Sequence, residues 1–302
     1  VLTGISVVLI GGDPRQLEVI QKLSDLDASV TLVGFDHLQQ QWSGVRKMNL
    51  SPEALQKADA VILPVVGSDE QGKVDSVFTS SELCLTEELV ADLPRGARIY
   101  TGLSSRWLRE VCARQRVELV EFLKLDDVAI YNSIPTAEGA LMLGIQHTDI
   151  TIHGSNCMVL GFGRTGMTMA RVLQGMGARV KVGVRRREHF ARAWEMGFLP
   201  FDMSELEQNA RDVDLVYNTV PAPVLTAQVL SRMPHTAVVI DLASKPGGTD
   251  FRYAEKRGIK AILAPSLPGL VAPKTAGRII ANCLVQLIRE HVVRTTPDGE
   301  EG

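Results

Sequence analysis

Cysteine is sparse: the four residues at 84, 112, 157 and 283 form no CxxC pair. That excludes a zinc ribbon or a disulfide scaffold and suits a reducing cytosol. No apolar run approaches the ~18 uninterrupted residues of a membrane span, so no membrane association is expected. An excess of one charge is also missing. The 32 basic and 35 acidic residues leave a net charge of −3, which provides no electrostatic footprint for nucleic acid. The six histidines include no pair at metal-binding helix spacing such as HExxH, and no GxSxG turn marks a serine hydrolase. Aromatics make up only 5% of the chain, yet 45% of its 302 residues are hydrophobic, enough for two domain cores. A soluble enzyme without a catalytic metal remains.

What the chain does have is alternation. The N-terminal ISVVLI (5–10) is a short apolar run that meets a Gly-Gly-Asp turn, so it reads as a first strand and not a secretory leader. Runs at 30–35, 60–65 and 97–103 repeat it, with helical spacing between them. A second series follows: NCMVLG, then ARVKVGV, then runs at 214–220, 237–243 and 259–265. Buried strands alternating with helices predict an α/β protein of two doubly wound, parallel-sheet, Rossmann-like domains, with ligands in the cleft between them. The expected boundaries are an N-terminal domain over 1–135, a connecting helix over 136–150 and a second domain over 151–273. A last helix, 274–293, is expected to return to the first domain, and the tail TTPDGEEG (295–302) to be frayed.

The strongest chemical signal is Gly161-Phe162-Gly163-Arg164-Thr165-Gly166, a GxGxxG between a strand and an apolar helix. Its first glycine permits a tight turn, its second lets backbone approach a pyrophosphate, and its third lets helix and strand pack closely. The helix N-terminus favours the negative charge. The next strand ends in Arg185-Arg186-Arg187, without the acid that would accept bonds from the adenosine ribose of NAD. Guanidinium groups at Arg185 and Arg186 suit a 2′-phosphate, so the expected cofactor is NADP. Asn218, Thr219 and Val220, at another strand end, are expected beside the nicotinamide ribose.

The run HGSNCMVLGFGRTGMTMARVLQGMGARV (153–180) resembles the cofactor domains of 2-hydroxyacid and alanine dehydrogenases. A closer resemblance is to the dipicolinate synthase A-subunit family. It is carried by IGGDPRQLEVI (10–20), DDVAIYNSIPTAEGALMLGIQHTD (126–149) and DLASKPGGTDFRYAEKRGIKAILAPSLPGLVAPKTAG (241–277). The resemblance implies NADP-dependent oxidation of a dihydrodipicolinate-type cyclic dicarboxylate to pyridine-2,6-dicarboxylate. It also implies the cytoplasm of a sporulating mother cell, with a flavoprotein-like B subunit for a partner; a homo-oligomer is the default assembly. Hydroxyacid dehydrogenases usually place His where Lys274 stands and Arg in the loop that here reads Ala243-Ser244-Lys245-Pro246. That difference disfavours their activity, since ketone reduction needs a positioned acid. The alternatives are another amino- or hydroxyacid dehydrogenase, or a regulatory subunit that binds nucleotide without catalysis.

A dicarboxylate needs cations and amide donors. Asp13, Arg15 and Gln16 follow the first strand at a helix start, where Arg15 can grip a carboxylate through two parallel bonds. Thr101, Ser104 and Ser105 occupy a second strand-to-helix turn that suits an anion. Thr136 and Glu138 are expected at a helix N-terminus facing the cleft, with Ser133 or Thr136 on a carboxylate. Glu138 or Lys274 is expected to handle the proton, the latter at a helix start that can lower its pKa. Asp241 is placed at the nicotinamide end or beside a catalytic lysine.

Overall fold

A computed structural model describes residues 1–295; residues 296–302, all but the first of the tail read as frayed, lie outside it. The chain forms two compact units, one of Val1–Val128 with the segment from Pro273, the other of Ala129–Ala272.

The first unit holds β1 (Ser6–Ile10), β2 (Ser29–Val33), β3 (Val45–Met48) and β4 (Ala60–Ile62), then a short antiparallel pair, β5 (Lys73–Val74) and β6 (Leu83–Cys84). After these come β7 (Arg98–Thr101) and β8 (Glu118–Glu121), giving a six-stranded parallel sheet of order β3-β2-β1-β4-β7-β8. Its helices are α1 (Arg15–Asp25), α2 (Pro52–Leu55), α3 (Glu87–Ala91) and α4 (Arg106–Gln115). Consecutive strand residues point to opposite faces. Val7 and Leu9 therefore join one buried cluster, and Val8 and Ile10 another. Both faces are apolar and covered, which is why the strands read as continuous hydrophobic runs.

The second unit repeats the plan with β9 (Asn156–Leu160), β10 (Arg179–Val184), β11 (Leu199–Asp202), β12 (Leu215–Asn218), β13 (Val238–Asp241) and β14 (Lys260–Leu263). Their order, β11-β10-β9-β12-β13-β14, reverses direction between β9 and β12 and is again wholly parallel. The chain's longer helices continue with α5 (Asp126–His147), α6 (Arg164–Gly175) and α7 (Arg187–Glu195). Shorter ones follow: α8 (Leu206–Asn209), α9 (Ala227–Arg232), α10 (Phe251–Arg257) and α11 (Leu267–Val271). The last helix, α12 (Pro273–Thr295), packs on α1, burying Ile280, Leu284 and Ile288 in the first unit's core. The contact is close at Gly277, where a Cβ would stand 2.5 Å from the Arg15 carbonyl oxygen.

The connecting helix corrects one expectation. It starts at Asp126, ten residues ahead of the predicted 136, and carries Pro135 in its interior. An internal proline removes one helical hydrogen bond. Two neighbouring hydroxyls bond to carbonyls of the preceding turn, Ser133 Oγ to that of Ile130 and Thr136 Oγ1 to that of Asn132. No helix of the described residues is long and apolar enough to cross a membrane.

Candidate functional site

In the second unit the three glycines of the fingerprint have three distinct surroundings. Gly161, at φ +89°, leaves β9; a Cβ there would lie 2.6 Å from Thr219 Oγ1. At Gly166 a Cβ would lie 2.1 Å from the Gly161 carbonyl oxygen, so the helix rests directly on the turn. At Gly163, the N-cap of α6, a Cβ would meet nothing within 4 Å. No side chain caps that helix end. Arg164 and Thr165 then form the first turn of a 12-residue helix. The arrangement leaves an open cradle at a helix N-terminus, the surroundings a pyrophosphate requires.

A cleft of about 150 Å³ adjoins the cradle, lined among others by Phe162, Arg185, Arg186, His189, Met203 and Val220. Arg185 is exposed at the tip of β10, and its guanidinium has no partner among the described residues. Arg186 pairs with Glu188. Phe162 meets His189 edge to face at 6.3 Å. Sequence reasoning missed His189 and Met203 here. His189 was legible in principle, since it lies in the first turn of α7, directly after the arginine run.

Three expected ligands in this unit have other roles. Asn218 and Asp241 are fully buried. The Asn218 amide donates to the Val220 carbonyl and to Asp241 Oδ1, and accepts from the Val220 amide, which uses up its hydrogens. Asp241 accepts from Asn218 Nδ2, the Ala243 and Gly248 amides and Thr249 Oγ1. It organises the loop after β13 and is not available as a catalytic group. Thr219 Oγ1 donates to the Leu160 carbonyl, so it packs beneath the glycine turn. Val220, expected beside Asn218 and Thr219, does line the cleft.

In the first unit the corresponding turn is closed by the chain itself. The Gly12 amide donates to the Asp75 carbonyl and the Val77 amide to the Gly12 carbonyl, both at 2.9 Å. A Cβ on Gly11 would lie 2.6 Å from the same Asp75 oxygen. No room is left there for a phosphate. Beside this turn lies an open cavity of about 240 Å³, lined among others by Asp13, Arg15, Pro64, Val66, Asp75 and Val77. Arg15 is paired through Nε with Asp13 Oδ1 at 2.9 Å and through Nη2 with Oδ2 at 2.5 Å. Burial works to raise the Asp13 carboxyl pKa, but the hydrogen bonds and charge of Arg15 outweigh it and hold it below the usual value. Gln16 is buried and turned inward, towards the Leu63 carbonyl at 3.5 Å.

The Thr101–Ser105 turn is not an anion site, because the protein's own carboxylates occupy it. Thr101 is fully buried and donates to the Pro64 carbonyl. Ser104 gives its amide and its hydroxyl to Glu121, at 2.9 and 2.7 Å. Ser105 caps α4 by accepting from the Leu108 amide. Glu70 accepts from the Arg106 and Trp107 amides, the donors that would otherwise meet a ligand.

On α5, Ser133 is buried against Thr168 Oγ1 at 2.6 Å. Together with the back-bond of Thr136, this leaves neither hydroxyl disposed towards a carboxylate, and Thr136 and Glu138 lie inside the helix, not at its N-terminus as expected. Glu138 is exposed in mid-helix, one turn from Ile134 and from Met142. Lys274 is exposed in the first turn of α12, three residues before Gly277 meets the Arg15 backbone.

The chain is similar along its length to known proteins. Residues 6–123 match the family of the dipicolinate synthase A-subunit N-terminal domain, and residues 133–297 match "Alanine dehydrogenase/PNT, C-terminal domain". The dipicolinate synthase A-subunit of Bacillus subtilis (strain 168) is 50% identical over 289 residues, 96% of this chain and 97% of the relative. The crystal structure of the dipicolinate synthase A-subunit from Bacillus halodurans superposes with a TM-score of 0.94 at 53% identity, covering 98% of this chain and 99% of that one. A transhydrogenase of Sinorhizobium meliloti, at 16% identity and a TM-score of 0.68 over 95% and 94% of the two chains, shares the fold alone. A dehydrogenase-type nucleotide domain thus follows an N-terminal unit with a family of its own, and the chain belongs to the dipicolinate synthase A-subunit family.

Proposed function

We propose that this chain is the dehydrogenase component of dipicolinate synthesis, using NADP to oxidise a dihydrodipicolinate-type cyclic dicarboxylate to pyridine-2,6-dicarboxylate. The observation that carries the reading is the open cradle at Gly163 beside the unpartnered Arg185. When bound, the nicotinamide supplies a hydride acceptor. The α6 N-terminus holds the pyrophosphate, Gly163 leaves the space for it, and Arg185 meets the 2′-phosphate with Arg186 beside it. Phe162, His189 and Met203 wall the adenine side.

Arg15 holds a substrate carboxylate. Its Nε and Nη2 are already fixed by Asp13, so the guanidinium is preorganised and presents its remaining hydrogens. Aromatisation of the ring supplies the driving force. The partner is the B subunit that the designation of the A-subunit family implies, and the setting is the cytoplasm of a sporulating cell.

The test couples dihydrodipicolinate synthase, pyruvate and aspartate semialdehyde to the purified chain with NADP⁺. Nicotinamide reduction and pyridine-dicarboxylate absorbance are followed together, with and without the B subunit. Both signals should rise in proportion. NADP binding with no turnover under either condition would favour a regulatory subunit instead.

A further inference from the structure

We propose that Asp75 is the proton acceptor for substrate oxidation, in a seat whose apolar walls are Val66 and Val77. This rests on the dehydrogenase reading above. Two acids line the cavity beside Arg15, and they are not equivalent. Asp13 is committed to Arg15. The Asp75 carboxylate has no hydrogen-bond or ion-pair partner among the described residues. Its backbone is nevertheless held on both sides. The Asp75 carbonyl accepts from the Gly12 amide, Ser76 Oγ donates to the Gly34 carbonyl at 2.7 Å, and the Val77 amide donates to Gly12. An unengaged carboxylate on an anchored segment, in a cavity that Arg15 also lines, is available to take a proton.

The walls point the same way. Val66 and Val77 are 66% and 65% exposed, and both line this cavity. Pro64 and Val65 extend the apolar surface. Exposed aliphatic residues around one guanidinium and one free carboxylate fit a flat, mostly carbon ring bearing anionic substituents, and a polar sugar or a phosphate would leave these walls unused.

The step balances. The dihydro ring loses two hydrogens from neighbouring saturated carbons. One C–H bond breaks with its electron pair leaving as hydride, taken up by the oxidised nicotinamide dinucleotide. The other C–H bond breaks with its proton passing to Asp75 Oδ, and its electron pair completes the aromatic ring. Asp75 then releases the proton to water. Ring, dinucleotide and base account for every atom and electron.

Asp75→Asn keeps size and shape, and the native contacts of Asp75 are made by its backbone, so the variant should fold. Loss of a positioned base should lower kcat by about 100-fold or more. KM and the affinity for pyridine-2,6-dicarboxylate, measured by calorimetry on the NADP-loaded chain, should change by less than about threefold, as expected when only a transition-state interaction is lost. Added formate should restore part of the rate, which a merely structural residue would not allow. A variant with wild-type kcat, or a lost rate accompanied by lost product binding and no formate rescue, would overturn the assignment. If the wild-type chain itself forms no pyridine-dicarboxylate, the dehydrogenase reading fails and Asp75 falls with it. If the wild type turns over and Asp75→Asn does too, only the Asp75 assignment fails.

Discussion

Asn218 and Asp241 stand at the carboxyl ends of adjacent strands, joined by a 3.0 Å hydrogen bond from Nδ2 to Oδ1, and neither side chain reaches solvent. The pair ties the turn after β12 to the loop after β13. Removing the carboxyl leaves the buried Ala243 and Gly248 amides without their acceptor. Each abandoned buried group costs about 1–3 kcal/mol. Asp241→Ala should therefore lose roughly 3 kcal/mol or more in urea unfolding. A loss below about 1 kcal/mol, with activity gone, would return Asp241 to the chemistry.

Gly163 and Gly166 separate binding from folding. Alanine at 163 meets no protein atom, so stability should hold within about 0.5 kcal/mol while NADPH affinity falls at least tenfold. Alanine at 166 runs into the Gly161 carbonyl and should cost about 1–3 kcal/mol of stability. Thermal unfolding and fluorescence titration on the two variants measure both. Equal effects at the two positions would mean that the cradle is not a ligand site.

The Tyr217 hydroxyl is a cost, not a contact. The side chain is fully buried, burial raises its phenol pKa, and its oxygen has no hydrogen-bond partner among the described residues. Gly144 makes room for it, since a Cβ there would lie 2.1 Å from the phenol oxygen. Because an unsatisfied buried donor is unfavourable by about 1–3 kcal/mol, Tyr217→Phe should leave stability unchanged or raise it by about 1 kcal/mol. A clear loss in chemical denaturation would show that the hydroxyl has a partner.

The architecture is legible because buried parallel strands advertise themselves as apolar runs and the fingerprint glycines sit at one junction. The anion site expected at Thr101–Ser105 fails for a definable reason. Its donors are taken by Glu70 and Glu121, which a local reading of the turn cannot bring to it. Asn218 and Asp241 mislead in the same way: polar residues at strand ends look like ligands until their mutual bonding is seen. Pro135 reads as a helix boundary, but the helix runs through it from Asp126 to His147, since a proline costs one helical hydrogen bond and the helix can bear that loss. Asp75, Val66 and Val77 lie in loops without periodicity, and only the folded chain gathers them around Arg15.

The most direct test of the account is an equilibrium titration of the wild-type chain and Arg185→Glu with NADPH and with NADH. A guanidinium meeting the 2′-phosphate through charge-assisted bonds is worth about 1.5–3 kcal/mol, or roughly tenfold and upward in affinity. The account predicts that the wild type prefers NADPH and that Arg185→Glu loses this preference while NADH binding is retained. A wild type that favours NADH, or a variant that binds NADPH as tightly as the wild type, would contradict it.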